Sequence, residues 1–148
     1  MPSTTRICKL ANELYESERR YLCKPLAQFG NSEAIRKLVM MLQKEKYSGT
    51  RAHAARALGS LKNPKYVPVL MKALDDSTST VRLEAVLALI EIEDSAAIPA
   101  LERASKRSAP DAPNSQQSDT KMRTLAKSGA QKLAVLEKRR PKLSQTKR

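Results

Sequence analysis

The chain repeats one apolar pattern, and this repetition limits what it can fold into. Residues 51–74 align on residues 82–105 without a gap, at a constant offset that places Arg51 on Arg82 and Leu58 on Leu89. A copy of this length suits one pair of helices, and a single pair cannot bury both of its apolar faces. Repetition of a helix-pair pattern at a constant offset therefore predicts a solenoid, in which each unit covers the apolar side of the next.

An earlier copy of the pattern lies about one period before the second. It shares an arginine, two leucines and an asparagine with that copy: Arg19 with Arg51, Leu26 with Leu58, Leu38 with Leu70 and Asn31 with Asn63. Each copy contains two apolar stripes at helical spacing, separated by a break. In the third copy the break is "EIEDSA", where Asp94 or Ser95 can cap the second helix. We predict helix pairs at about residues 18–46, 48–75 and 79–107, with Pro25 kinking the first helix.

The flanking segments are predicted to close or extend this solenoid, which spans residues 1–107. Residues 4–17 should form an N-terminal capping helix on the apolar positions Ile7, Leu10, Ala11 and Leu14. Residues 108–118, rich in turn-forming residues, suggest a flexible linker. Residues 119–139 should form a C-terminal helix, either free or the opening helix of a fourth unit, because Met122, Ala126 and Leu133 match the third copy at a longer constant offset. Residues 140–148 are predicted to be a basic, disordered tail.

The third copy also carries the features of a known repeat. "ALDDSTST" precedes Val81 and Arg82, and apolar positions follow at Ala85, Ala88, Leu89, Ile98 and Leu101. This pattern resembles a HEAT repeat of the short bacterial type, which also occurs in phycobilisome lyases. The resemblance covers about residues 19–107. It implies an all-α, armadillo-like fold: a short right-handed α-α superhelix of about three helix pairs, with an N-terminal capping helix and a C-terminal basic helix.

The positive charge of the chain favours anionic partners but does not indicate which class of partner binds. The formal net charge is +13, and residues 108–148 hold 10 Lys and Arg against 3 Asp and Glu. Such a field attracts acidic proteins, phosphate backbones and anionic lipid alike. No apolar run reaches the roughly 20 residues of a membrane helix. With no disulfide framework around Cys8 and Cys23, we expect a cytoplasmic protein.

The sequence offers no set of residues that would carry catalysis. His53 has no partners at metal-ligand spacing, and the His-Glu pairs of HEAT-like deoxyhypusine hydroxylases are missing. Cys8 and Cys23 fall on apolar helix faces, which favours buried packing roles over reactive thiols. We therefore predict no enzyme activity, no metal and no cofactor.

The candidate binding residues are basic. The resemblance implies that second helices line a concave surface, whose solvent-side candidates are Arg36, Lys37, Lys44, Lys65, Lys72, Arg103, Lys106 and Arg107. A second candidate is the anion-binding tail of Lys138, Arg139, Arg140, Lys142, Lys147 and Arg148. The repeated Arg19, Arg51 and Arg82 favour a structural role, pairing with acidic turns such as the one at Asp75 and Asp76.

These features predict a non-catalytic adaptor or scaffold that binds a protein partner through stacked helices, and the positive charge favours an acidic partner. A nucleic-acid- or ribosome-associated protein is the alternative, since the basic stripe and the tail would also attract phosphates. A third hypothesis, a bilin-lyase-like protein, is implied by the repeat resemblance alone.

Overall fold

The chain forms a stack of helix pairs, and the computed structural model describes residues 3–15, 18–107 and 116–140. These residues form eight α-helices and three short 3-10 turns, with no strand among them. The helices are α1 Thr4–Glu13, α2 Cys23–Phe29, α3 Ser32–Lys44, α4 Ser48–Ser60, α5 Val67–Ala73, α6 Ser79–Ile92, α7 Ile98–Lys106 and α8 Gln116–Arg139. The prediction of an all-α solenoid is confirmed.

The three repeat units are the helix pairs α2/α3, α4/α5 and α6/α7. The first helices lie side by side, with α4 packed between α2 and α6. Each second helix packs against the helix that follows it in the chain: α3 on α4, α5 on α6 and α7 on α8. Leu58 and Leu89, which align in the repeat, are both completely buried in α4 and α6. The stacked helices therefore bury the apolar faces that no single pair could cover.

Local sequence signals set the start of each second helix. Asn31 caps α3 by accepting a hydrogen bond from the Ala34 N–H, and Gly30 before it adopts a left-handed φ of 62°. Asn63 and Asp94 accept from the N–H two residues later and open the 3-10 turns that lead into α5 and α7. The first helix of unit one is split into a 3-10 turn at Arg19–Leu22 and the short α2. The break thus precedes Pro25, whereas the sequence predicts a kink at Pro25 within a continuous helix.

The N-terminal helix is shorter than predicted. It ends at Glu13 rather than residue 17, and Leu14 already has extended backbone. Ile7 and Ala11 are buried, whereas Leu10 is substantially exposed. Among the described elements α1 packs mainly on α2, α3 and the 3-10 turn before α2, which covers the stripe that holds Ile7 and Ala11.

Helix α8 packs against α6 and α7 and acts as one further first helix. It begins at Gln116, so the predicted linker is wrong at residues 116–118, which are helical. The rest of that linker, 108–115, and the tail from 141 onward lie outside the described residues. Met122, Ala126 and Leu133 are buried. However, the residue of α8 that aligns with the buried Val86 of α6 is Lys127, which is exposed. A polar outer face of this kind ends a solenoid.

The repeated arginines connect each unit to the next. Arg51 donates from Nη1 to the carbonyls of Glu45 and Lys46, before its own helix, at 2.8 and 3.0 Å. Its Nε and Nη2 donate to the two carboxylate oxygens of Asp76, in the following loop, at 2.8 and 2.9 Å. Arg19 makes the same kind of bridge from the Leu14 carbonyl to the Glu45 carboxylate.

Arg82 forms the last and most buried of these bridges. Its Nη1 donates to the carbonyls of Asp76 and Ser77, and its Nη2 donates to Asp119 at the start of α8. Asp76 therefore lies between two guanidinium groups. Burial raises the pKa of Asp76, but hydrogen bonds from Arg51 and the Thr78 N–H, with the nearby positive charges, outweigh burial and hold this pKa below its ordinary value.

Candidate partner-binding surface

A groove between α3 and α5 gathers three of the predicted basic residues. Arg36 of α3, Lys65 of the 3-10 turn and Lys72 of α5 line a cavity of about 830 Å³. Its other lining residues include the apolar side chains Ile35, Val39, Met40, Tyr66, Pro68 and Val69. None of the described residues that line it is Asp or Glu. The groove thus combines an apolar floor with a cationic rim.

Helix periodicity explains why these cations face outward. In α3, Ala34, Leu38 and Met41 form the buried stripe, which leaves Arg36 and Met40 on the solvent side. The Nε of Arg36 reaches only the carbonyl of Ser32 in its own helix, at 3.4 Å. Its guanidinium is therefore not neutralised by a carboxylate of the described chain. Met40 is half-exposed, an unusual position for so flexible and apolar a side chain.

The other predicted cations of the second helices lie elsewhere. Arg103, Lys106 and Arg107 line a smaller groove of about 380 Å³ between α5 and α7. Arg107 is already engaged there, since its Nη1 lies 3.1 Å from both the Leu74 carbonyl and an Asp75 carboxylate oxygen. Lys37 donates to the Asn12 side chain in a groove between α1 and α3. Lys44 is exposed at the end of α3 and lines none of these three grooves.

The predicted anion-binding tail is only partly described. Lys138 and Arg139 form the last turn of α8, where positive charge complements the carboxyl end of the helix dipole. Arg140 follows and lies 3.8 Å from Glu137. All three basic side chains are exposed. Lys142, Lys147 and Arg148 lie outside the described residues.

Sequence reasoning missed a second groove, between α2 and α4. It has a volume of about 730 Å³ and is lined by Arg20, Tyr21, Cys23, Lys24, Ala27, Gln28, His53, Arg56, Ala57, Ser60 and Leu61. Tyr21 is 65% exposed, and the guanidinium carbon of Arg20 lies 4.8 Å from the centre of its ring. A hydrogen bond to the Tyr21 hydroxyl raises the pKa of Arg20. His53, which is isolated in the sequence, lies in this groove with its Nδ1 2.8 Å from the Gly49 carbonyl.

The described residues contain neither a metal-binding cluster nor a membrane-spanning helix. No three His, Cys, Asp or Glu side chains among them lie close enough together to hold a metal ion. Within the same residues, every helix is too short or too polar to cross a bilayer.

The two cysteines are free thiols in different environments. Cys23 is buried beneath the Thr50 carbonyl, and burial, with the charge of Glu45, raises its pKa to about 12. Cys8 is half-buried, and burial, followed by the charge of Glu33, raises its pKa as well. Since only thiolates react rapidly, both thiols should be poor nucleophiles at neutral pH.

We expect iodoacetamide at neutral pH to leave Cys23 unmodified in the folded protein while Cys8 reacts slowly. Both should react rapidly once the chain is unfolded in guanidinium, which serves as the control. Mass spectrometry of tryptic peptides would measure each site. Alkylation of Cys23 in the folded state at the rate seen in denaturant would show that the α2–α4 contact around it is not formed.

The repeats also match a known family at the level of sequence. Residues 46–113 match a family model described as HEAT repeats, a span that contains α4 to α7. A comparison with curated proteins finds no match. The matched span is the part of the chain in which the two most similar copies of the pattern lie.

Proposed function

We propose that this chain, in which residues 46–113 match HEAT repeats, is a non-catalytic adaptor that binds an acidic segment of a partner protein between α3 and α5. HEAT repeats generally mediate protein–protein interactions, and proteins built from them are typically scaffolds without catalytic activity. In this proposal the stacked repeats hold α3 and α5 in place, and the groove between these helices selects the partner.

The combination of an apolar floor with unpaired cations carries this proposal. A partner helix or extended segment would place aliphatic side chains against Val39 and Met40, and so remove apolar surface from water. Carboxylates on its edges would meet Arg36, Lys65 and Lys72, which no carboxylate lining this groove neutralises. Charge complementarity of this kind raises the association rate and excludes basic partners.

The adaptor proposal is tested by purification from native lysate with charge-reversed variants. Arg36→Glu and Lys72→Glu should lose the partner, because like charges across an interface repel. Lys44→Glu, which makes the same kind of charge change on α3 but outside the groove, should retain it. The captured protein should be stoichiometric and should survive nuclease treatment. Equal capture by all three variants, or loss of the partner after nuclease, would refute the proposal.

A second candidate function is binding of nucleic acid. It is favoured by the net charge of +13 and by the exposed cluster of Lys138, Arg139 and Arg140 at the end of α8. Binding through several such contacts should weaken steeply as salt is raised. A titration with labelled duplex DNA and with RNA, from low to physiological salt, decides the matter; no binding at low salt would eliminate this candidate. The bilin-lyase hypothesis has no observation beyond the sequence resemblance and stays a prediction.

A further inference from the structure

Neighbouring first helices are bridged by an ion pair in one repeat interface but not in the one before it. Between α4 and α6, the Arg56 guanidinium donates from Nε and Nη2 to the two carboxylate oxygens of Glu84. Glu84 is buried, while the Arg56 side chain stays largely exposed. A carboxylate at this position thus links two first helices.

The equivalent positions between α2 and α4 lack this carboxylate. In the alignment of the copies, Lys24 falls on Arg56 and His53 falls on Glu84. Both side chains line the groove of about 730 Å³ between these helices. A cation is therefore present on α2 as it is on α4, but its partner on the next helix is a histidine instead of a glutamate. Among the described residues, no carboxylate forms an ion pair with Lys24 or Arg20 at this interface.

The remaining walls of this groove suit a protein ligand. Its apolar floor includes Ala27, Ala57 and Leu61, and its rim carries Arg20 and the exposed Tyr21. Arg20 bonds the Tyr21 hydroxyl at 2.8 Å and makes no ion pair with a described residue. Tyrosine and arginine are enriched among the few residues that contribute most of the binding energy at protein interfaces. A phosphate backbone, by contrast, would gain nothing from the apolar floor.

We propose that the α2–α4 groove is a second docking site, which takes a short acidic peptide segment of a partner protein. A carboxylate of the peptide would occupy the position that Glu84 fills in the next interface, between Lys24 and Arg20. An adjacent aliphatic side chain of the peptide would lie on Ala57 and Leu61. The site lies on the first helices and is separate from the α3–α5 groove, so the chain would join two acidic segments.

The proposal can be tested with defined peptides and fluorescence polarisation. The probe is a labelled peptide containing Glu-Leu-Glu, the control probe replaces both glutamates with glutamine, and a short single-stranded RNA is the competitor. We expect the glutamate peptide to bind and the glutamine peptide to bind at least about tenfold more weakly. Lys24→Glu should weaken binding by at least about tenfold, whereas Lys44→Glu, which reverses an exposed charge outside both grooves, should leave it unchanged.

Substituting His53→Glu supplies the missing carboxylate from within the chain. We expect it to pair with Lys24, to block the glutamate peptide and to leave the melting temperature at or above that of His53→Gln, which should still bind. Several results would overturn the proposal: equal binding of both peptides, no binding at millimolar peptide, full displacement by RNA, or unaltered binding by His53→Glu. If only the α3–α5 variants abolish peptide binding, the adaptor proposal stands and this second site does not.

Discussion

Replacing Arg82 with alanine is expected to lower the free energy of unfolding by about 3–5 kcal/mol. The side chains of Arg82 and Asp119 are each only 3% exposed, so the substitution leaves a carboxylate buried without its counter-charge. The Oδ2 of Asp119 already has no hydrogen-bond partner among the described residues. The carbonyls of Asp76 and Ser77 would lose their donor as well. We therefore expect α8 to detach from α6 before the rest of the chain unfolds.

Urea denaturation followed by circular dichroism measures this effect, and the chain contains a matched control. Arg123 is the arginine of α8 that aligns with Arg82, at the open end of the stack, where it is half-exposed and makes no ion pair with a described residue. Arg123→Ala should change stability by less than about 0.5 kcal/mol. The double variant Arg82→Met with Asp119→Leu should recover most of the loss, since no charge is left buried. An Arg82→Ala effect as small as that of Arg123→Ala would contradict the buried bridge.

Replacing Gly59 with alanine is expected to destabilise the fold by about 2 kcal/mol, although alanine is the better helix former. Helix propensity alone predicts a gain of about 1 kcal/mol. A Cβ at position 59, however, would lie 2.6 Å from both the Cα and the Cβ of Ala88. Because the Cα belongs to the backbone of α6, the two first helices would have to separate. Overpacking of this kind costs about 1–3 kcal/mol and more where backbone moves.

Gly129→Ala provides the comparison for Gly59→Ala. A Cβ at position 129 would lie 2.5 Å from the Cδ1 and Cγ1 of Ile90, which are side-chain atoms that can rotate away. The clash and the propensity gain should therefore nearly cancel, leaving stability within about 0.5 kcal/mol of the original. Thermal and urea unfolding of both variants measures the difference. Stabilisation by Gly59→Ala would show that α4 and α6 do not approach closely.

The sequence predicted the fold best where the repeat is gapless. Leu58 and Leu89 align without insertions, so one periodic pattern was enough to predict α4 to α7. The role of α8 was harder to predict, because the segment before it breaks the spacing. Arg82 and Asp119 lie much farther apart along the chain than Arg51 and Asp76 do, although both pairs make the same kind of bridge. The polar residues on the outer face of α8 can be interpreted as the end of the stack only when the packing of α8 on α6 and α7 is known.

The binding surfaces were predictable only in part, for a physical reason. Helical periodicity indicates that Arg36 and Lys72 point to solvent, but not that they share a groove with Lys65 while Lys44 lies outside it. The α2–α4 groove depends on the absence of a carboxylate opposite Lys24. The missing carboxylate can be recognised only by comparison with the next interface, where the Arg56–Glu84 ion pair joins α4 to α6. Close approach of α4 and α6 likewise depends on helix packing, which a one-dimensional pattern does not contain.

Amide hydrogen exchange of the folded chain tests the stacked solenoid most directly. Helices packed into one continuous core should protect their amides together. We predict slow exchange in the central turns of α4, α6 and α8, with α8 losing its protection first in Arg82→Ala. Exchange of α8 at the rate of an unfolded peptide, or unrelated rates for α4 and α6, would contradict the stacking of first helices on which both docking sites depend.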